Sequence, residues 1–131
     1  GTFLPVASDT LDEHAMHSES VDIPARTWSA VGETRERGGR VWALGTTVAR
    51  ALESAALGLL PKAGEGGGFC GETALFIRPG AFQYRVVDAL LTNFHQPRST
   101  LLALVAAFAP GGLEQVKACY QAAIEREYRL F

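Results

Sequence analysis

Eight consecutive residues, Asn93-Phe94-His95-Gln96-Pro97-Arg98-Ser99-Thr100, gather a carboxamide, an imidazole, a guanidinium and two hydroxyls in one short stretch. An imidazole titrates near neutrality and can exchange protons with a substrate. A guanidinium presents a fork of donors to a carboxylate or phosphate. The same residues also have plainer uses: Asn93 and Ser99 suit a turn and a helix cap, which leaves His95 facing water. The density of polar chemistry favours a site.

Gly45-Thr46-Thr47 is a second candidate. It follows an apolar run and opens a helical pattern, so its amides and hydroxyls collect where a helix N-terminus favours an anion, and Arg50 adds a charge one turn on. Read alone, the motif is weak and an ordinary helix start is the favoured reading. The third candidate is His14, His17 and Glu19. In an extended chain His17 and Glu19 share a face, and a carboxylate beside an imidazole raises its basicity. The plainer alternative is a surface strand with its polar residues in water. Zinc is not expected, because a tetrahedral site needs three or four protein ligands and only His95 remains beyond this group.

Two other motifs carry less. Gly66-Gly67-Gly68-Phe69-Cys70-Gly71 has the glycine spacing of a dinucleotide fingerprint, but strand pattern follows it where that fingerprint must open a helix. Arg35, Arg37 and Arg40 flank Gly38-Gly39 and read as a solvated helix end.

The elements that must position these residues are legible in outline. Residues 15 to 23 read as a short strand stopped by Pro24. Residues 25 to 37 read as an amphipathic helix closed by Gly38-Gly39. Val41 to Leu44 is a strand, and helix follows from Val48 to Ala55. Residues 58 to 71 hold several glycines and are expected to form a loop, with strand resuming over Thr73 to Ile77. Tyr84 to Leu91 suits a buried strand. Ser99-Thr100 caps an apolar helix over Leu101 to Phe108, Pro110-Gly111-Gly112 breaks it, and a last helix runs from Leu113 to Tyr128. The alternation predicts an α/β fold with a mostly parallel sheet flanked by helices. Ligands in such folds sit beyond the C-terminal ends of the strands, so His17, Thr46 and His95 are expected to meet in one pocket.

The 131 residues, 47% apolar and 20% charged, suffice for one core. A formal charge of −2 supplies no general attraction to a polyanion, so RNA binding would need local clusters. Cys70 and Cys119 form no CxxC pair, which argues against a disulfide framework. No run of about 18 to 20 apolar residues suggests a membrane span and no signal peptide is evident, so the cytoplasm is expected. Apolar residues at both ends suggest a piece cut from a larger fold.

Taken in order, GTFLPV, HAMHSE, GGRVWALGTTVARALES, ETALFIRPG, VVDALLTNFHQPRSTLLALVAAFA and YRLF resemble the successive motif blocks of the queuosine ribosyltransferase-isomerase family. Trp42, Val48 and Gln96 depart from the family's usual residues, and none of the three removes an acid, base or cation. The resemblance implies the C-terminal portion of a single α/β catalytic domain, an incomplete barrel-like fragment. The N-terminal part and an inserted β-barrel domain would lie outside it. It implies transfer and isomerisation of the ribosyl moiety of S-adenosylmethionine onto the aminomethyl-deazaguanine wobble base of tRNA, giving epoxyqueuosine-tRNA, adenine and methionine. S-adenosylmethionine is then a co-substrate, with no cofactor or metal implied, and the full-length enzyme is expected to be a monomer.

Fitted to that chemistry, His17 with Glu19, and separately His95, would remove the proton beside the sulfonium and assist the departure of adenine. Gly45, Thr46 and Thr47 would take a carboxylate or phosphate, supported by Arg50 and Arg98. Asn93 would hold a base edge or a ribose hydroxyl, and His14, Ser99 and Thr100 would line the substrate. Rival readings are a non-catalytic fragment that binds S-adenosylmethionine or tRNA, an unrelated phosphosugar enzyme, and an assembly piece. In the full-length enzyme, His17→Ala and His95→Ala are each expected to lower turnover by ~10²-fold or more without loss of the fold. Steady-state rates near wild type would remove those residues from the chemistry.

Overall fold

The computed structural model describes residues 18–64 and 66–130, so His14 and His17 lie outside the described residues. The chain divides into two compact units. The first holds residues 18–64, 66–75 and 84–92, and the second holds residues 76–83 and 93–130.

In the first unit, β1 (Glu19–Ile23) alternates as a half-buried strand should, with Val21 and Ile23 inward and Ser20 and Asp22 outward. Pro24 ends it and starts α1 (Ala25–Glu36), its carbonyl accepting from the amides of Thr27 and Trp28. A proline cannot extend a strand ladder, but its fixed φ suits a helix entrance. No residue of α1 is fully buried, and Trp28 anchors the helix edge-on against Phe69, with ring centroids 5.0 Å apart. Gly38, at φ +70, and Gly39 close the helix, Gly39 donating to the Thr34 carbonyl at 2.8 Å. This is the glycine termination that the sequence predicts.

Next come β2 (Trp42–Leu44) and α2 (Thr46–Ala56), as expected. Beyond them the structure corrects the sequence reading. Where a glycine loop was expected, β3 (Lys62–Ala63) and β4 (Gly68–Thr73) form a hairpin. β4 pairs antiparallel with β1, Glu19 opposite Thr73 and Ile23 opposite Phe69, so the three-stranded sheet β1-β4-β3 is antiparallel. Strand therefore ends at Thr73 and does not run on to Ile77. The glycines act through closeness. A Cβ at Gly68 would lie 2.6 Å from the Ile23 carbonyl oxygen and 2.9 Å from the Ala25 nitrogen, and one at Gly71 would lie 2.9 Å from Pro61 Cδ. Glycine inside a strand marks such an approach as readily as it marks a loop.

The parallel component is a second, two-stranded sheet. β5 (Ala89–Leu91) pairs with β2, Trp42 opposite Ala89 and Leu44 opposite Leu91. Only three residues of the expected Tyr84–Leu91 strand are strand, because the amides upstream are taken by a side chain. Glu53 of α2 is completely buried. Its Oε2 accepts from the amide of Arg85 at 2.8 Å, and its Oε1 accepts from Val86 at 2.9 Å and Val87 at 2.8 Å. Three amides bound to a carboxylate cannot also bond to a neighbouring strand. The fold is thus mixed α/β with one antiparallel and one parallel sheet. Among the described residues neither sheet closes into a barrel.

α2 is the centre of this unit. Ala49, Leu52 and Ala55 give it an apolar stripe, and Arg50, Glu53 and Ser54 are buried beside them. Ser54 Oγ and Thr73 Oγ1 are 2.6 Å apart, which ties α2 to the end of β4. The Tyr84 phenol, half-buried near this carboxylate, is pushed well above its usual pKa, first by burial and then by the charge of Glu53.

In the second unit, α3 (Thr100–Phe108) starts at Ser99, whose Oγ accepts from the Leu102 amide at 3.1 Å. Leu101, Ala103, Leu104 and Ala106 are buried and the other residues of the helix are half-buried, so α3 has no exposed face. Pro110-Gly111-Gly112 turns the chain into α4 (Gly112–Glu125), bent by 106° from α3, with Gly112 at φ +59. α4 ends earlier than the expected Tyr128, where Glu127 adopts φ +57. Among the described residues no single helix is long and apolar enough to cross a membrane.

Glu53→Ala would leave three inward-facing amides without their acceptor. The variant is expected to lose about 3–5 kcal/mol in urea unfolding, and Glu53→Gln, which keeps one acceptor oxygen, distinctly less. Equal midpoints for Glu53→Ala and wild type would show that those amides find other partners.

Candidate functional site

The start of α2 has the strand-turn-helix form read from the sequence. Gly45 stands at φ +102, a backbone shape that residues with a Cβ rarely adopt. Its amide donates to the Leu91 carbonyl at 2.8 Å and its own carbonyl accepts from Ala49. The end of β5 thereby sets the turn from which α2 rises. Thr46 is buried at the first helical position and Thr47 is exposed.

Arg50 is committed inward. It is only 4% exposed, and its Nε donates to the Leu75 carbonyl at 3.1 Å. Its Nη1 lies 2.9 Å from Oε2 of Glu19 on β1. That contact is electrostatic and lacks the angles of a hydrogen bond, and Nη2 is buried without a hydrogen-bond partner. Sequence spacing could not reveal this pair, because its members come from different elements. A buried guanidinium stays charged, so it needs an anion close by, and Glu19 is that anion.

In the second unit, the Asn93–Thr100 segment joins the chain leaving β5 to α3. Asn93 and Arg98 are exposed, while His95, Ser99 and Thr100 are half-buried. Ser99 performs the cap duty that the sequence allows, its hydroxyl also donating to the Gln96 carbonyl at 2.8 Å. Arg98 holds φ +56, an uncommon conformation for a residue with a long side chain. His95 is neither in open water nor deeply enclosed. Its backbone N–H donates to the Tyr120 hydroxyl at 2.7 Å, and the Phe94 and Tyr120 rings meet edge-to-face at 5.1 Å. Burial lowers the pKa of its imidazole, because a partly desolvated ring disfavours the added charge. At neutral pH it is therefore a neutral imidazole, able to accept a proton at one nitrogen and donate from the other.

Among the sequence candidates, the structure brings Glu19 and Arg50 together in the first unit. It places Asn93, His95, Arg98, Ser99 and Thr100 along one short segment of the second. Thr46 belongs to the first unit and His95 to the second. Two of the three clustered arginines are not merely solvated: Arg35 donates to the Val86 carbonyl and Arg40 to the Asp88 carbonyl, while Arg37 makes a surface pair with Glu33. The sequence reading missed Glu53 and Tyr120. Glu53 had left a signal, since it stands four residues after Ala49 and three before Ala56, on an otherwise apolar side of the helix, where a carboxylate calls for hydrogen-bond donors. Tyr120 had left none. Among the described residues no three His, Cys, Asp or Glu side chains gather as metal ligands.

The pattern characteristic of the queuosine biosynthesis proteins matches residues 1–131, the whole length. The chain belongs to that family. Two relatives, both called S-adenosylmethionine:tRNA ribosyltransferase-isomerase, come from Chlorobium phaeovibrioides and Polynucleobacter necessarius. The first is 52% identical over 128 residues, covering 98% of this chain and 36% of the relative. The second is 53% identical over 131 residues, covering 100% of this chain and 34% of the relative. The crystal structure of S-adenosylmethionine tRNA ribosyltransferase from Thermotoga maritima superposes with a TM-score of 0.73 at 46% identity, covering 86% of this chain and 37% of that one. This member of the queuosine biosynthesis family thus spans about a third of the length of the curated relatives it matches.

In this family member the lowered pKa of His95 links stability to pH. Below about 6.5 the unfolded chain binds a proton that the folded state resists, so stability is complete above that pH and falls as the pH drops through the lowered value. Urea midpoints at pH 7.5 and pH 5.5 should therefore differ more for wild type than for His95→Gln. An equal difference in the two proteins would show that His95 is not a source of the acid sensitivity.

Proposed function

We propose that this protein transfers and isomerises the ribosyl group of S-adenosylmethionine onto the aminomethyl-deazaguanine base at the wobble position of tRNA, releasing adenine and methionine. The match of the family pattern along all of residues 1–131 carries this reading, and the names of the relatives support it. S-adenosylmethionine is spent in the reaction as a co-substrate. We read the chain as the C-terminal part of a barrel-like catalytic domain in a cytoplasmic enzyme.

The residues divide the work as follows. His95, neutral at physiological pH, takes or lends a proton, either beside the sulfonium or at the leaving adenine. Asn93 and Arg98, exposed on the same segment, hold polar and anionic parts of a substrate, with Ser99 and Thr100 shaping its start of α3. The turn Gly45-Thr46-Thr47 offers amides to a carboxylate or phosphate. Arg50 acts through Glu19, whose carboxylate it holds at 2.9 Å, and His17 and His14 precede that carboxylate on the chain.

Incubating the full-length protein with S-adenosylmethionine and tRNA carrying the aminomethyl-deazaguanine base should release adenine stoichiometrically with a gain in tRNA mass. Chromatography and mass spectrometry read the two products. Binding of both substrates with no adenine would leave only a binding module, and release of adenine with unchanged tRNA would exclude the transfer.

A further inference from the structure

Tyr120 sits in α4, 25 positions from His95, and touches the His95 segment in two ways. Its hydroxyl accepts the His95 backbone N–H at 2.7 Å, the short end of the range for such bonds. Its ring stands at 86° to the Phe94 ring with centroids 5.1 Å apart. The segment is irregular, so its amides have no ladder to join, and a half-buried amide needs an acceptor. The acceptor here is a side chain on a helix.

The far end of the segment is tied separately. Ser99 bonds the Gln96 carbonyl and the Leu102 amide, which fastens the chain to the first turn of α3. His95 thus lies at one anchor of a short span whose other anchor is the helix cap, with Arg98 strained at φ +56 between them. The backbone position of His95 determines where its imidazole can point. A ring contact alone would be served by phenylalanine, and the hydroxyl adds the hydrogen bond.

We infer that Tyr120 is a positioning residue for the reaction, holding the His95 imidazole in place through the backbone. The inference rests on His95 acting as acid or base. Displacing a catalytic group by a fraction of an ångström slows the chemical step more than it weakens binding. Tyr120→Phe keeps the ring contact and removes only the acceptor. In the full-length enzyme it should lower kcat by roughly tenfold, with KM for S-adenosylmethionine changed by less than about twofold.

The deciding experiment measures kcat and KM for His95→Gln, Tyr120→Phe and the double variant. If Tyr120 acts through His95, its removal has no further effect once the imidazole is gone. Losses that multiply in the double variant, or a Tyr120→Phe enzyme at wild-type kcat, overturn the inference while leaving His95 catalytic. A His95→Gln enzyme at wild-type kcat instead overturns the catalytic reading of His95 itself. Phe94→Leu, which removes the ring contact and spares the hydroxyl, gives the same test should Tyr120→Phe fail to fold. It should lower kcat in the wild-type background and not in His95→Gln.

Discussion

Three consecutive backbone amides, those of Arg85, Val86 and Val87, point at one buried carboxylate on α2. A charge with no access to water is tolerated only when donors replace its hydration, and Glu53 has all three within 2.9 Å. The bond set reaches outward. By taking the amides of 85–87 it delays the strand to Ala89, and β5 then runs only to Leu91 beside β2. The Leu91 carbonyl accepts the Gly45 amide, which sets the turn that starts α2. The helix that carries Glu53 therefore begins where a strand ends, and that strand begins where Glu53 releases the backbone.

The same helix reaches the antiparallel sheet through polar groups. Arg50 meets Glu19 at one end of β1, and Ser54 meets Thr73 at the end of β4. Glu19 and Thr73 are themselves register partners, so both links land on one rung of the sheet. The Ser54–Thr73 hydrogen bond is directional and leaves few alternative packings, whereas apolar contacts tolerate sliding. In the second unit α3 is strongly apolar, and Ser99 and Tyr120 supply polar ties to the segment that carries His95.

Particular residues show why some elements were legible and others were not. Pro24, Gly38-Gly39, Ser99 and Pro110-Gly111 each act on their immediate neighbours, and the helix limits read from them agree with the structure to within about a turn. The glycines at 68 and 71 misled because composition reports conformational freedom. Their actual use, a backbone approach to Ile23 and Pro61, depends on which strand lies alongside. The apolar run 84–91 misled in the same way, since its hydrophobic pattern says that it is buried and not which group takes its amides. His95 was legible as a candidate from the polar groups around it, but its half-burial and the lowered pKa that burial causes are properties of the folded chain.

Sequence alone determined the helices, their caps, the strand-turn-helix junction at Gly45 and, through several motif blocks in order, the family. Those features rest on local sterics and on the identity of neighbouring residues. Tertiary structure alone decided the antiparallel sheet, the destination of the amides of 85–87, the pairing of Arg50 with Glu19 and the anchoring of His95 on Tyr120. Each joins residues from separate parts of the chain, 25 positions apart for His95 and Tyr120 and 32 to 34 for Glu53 and its donors. No periodicity or composition encodes such meetings, because they exist only once the intervening chain has folded.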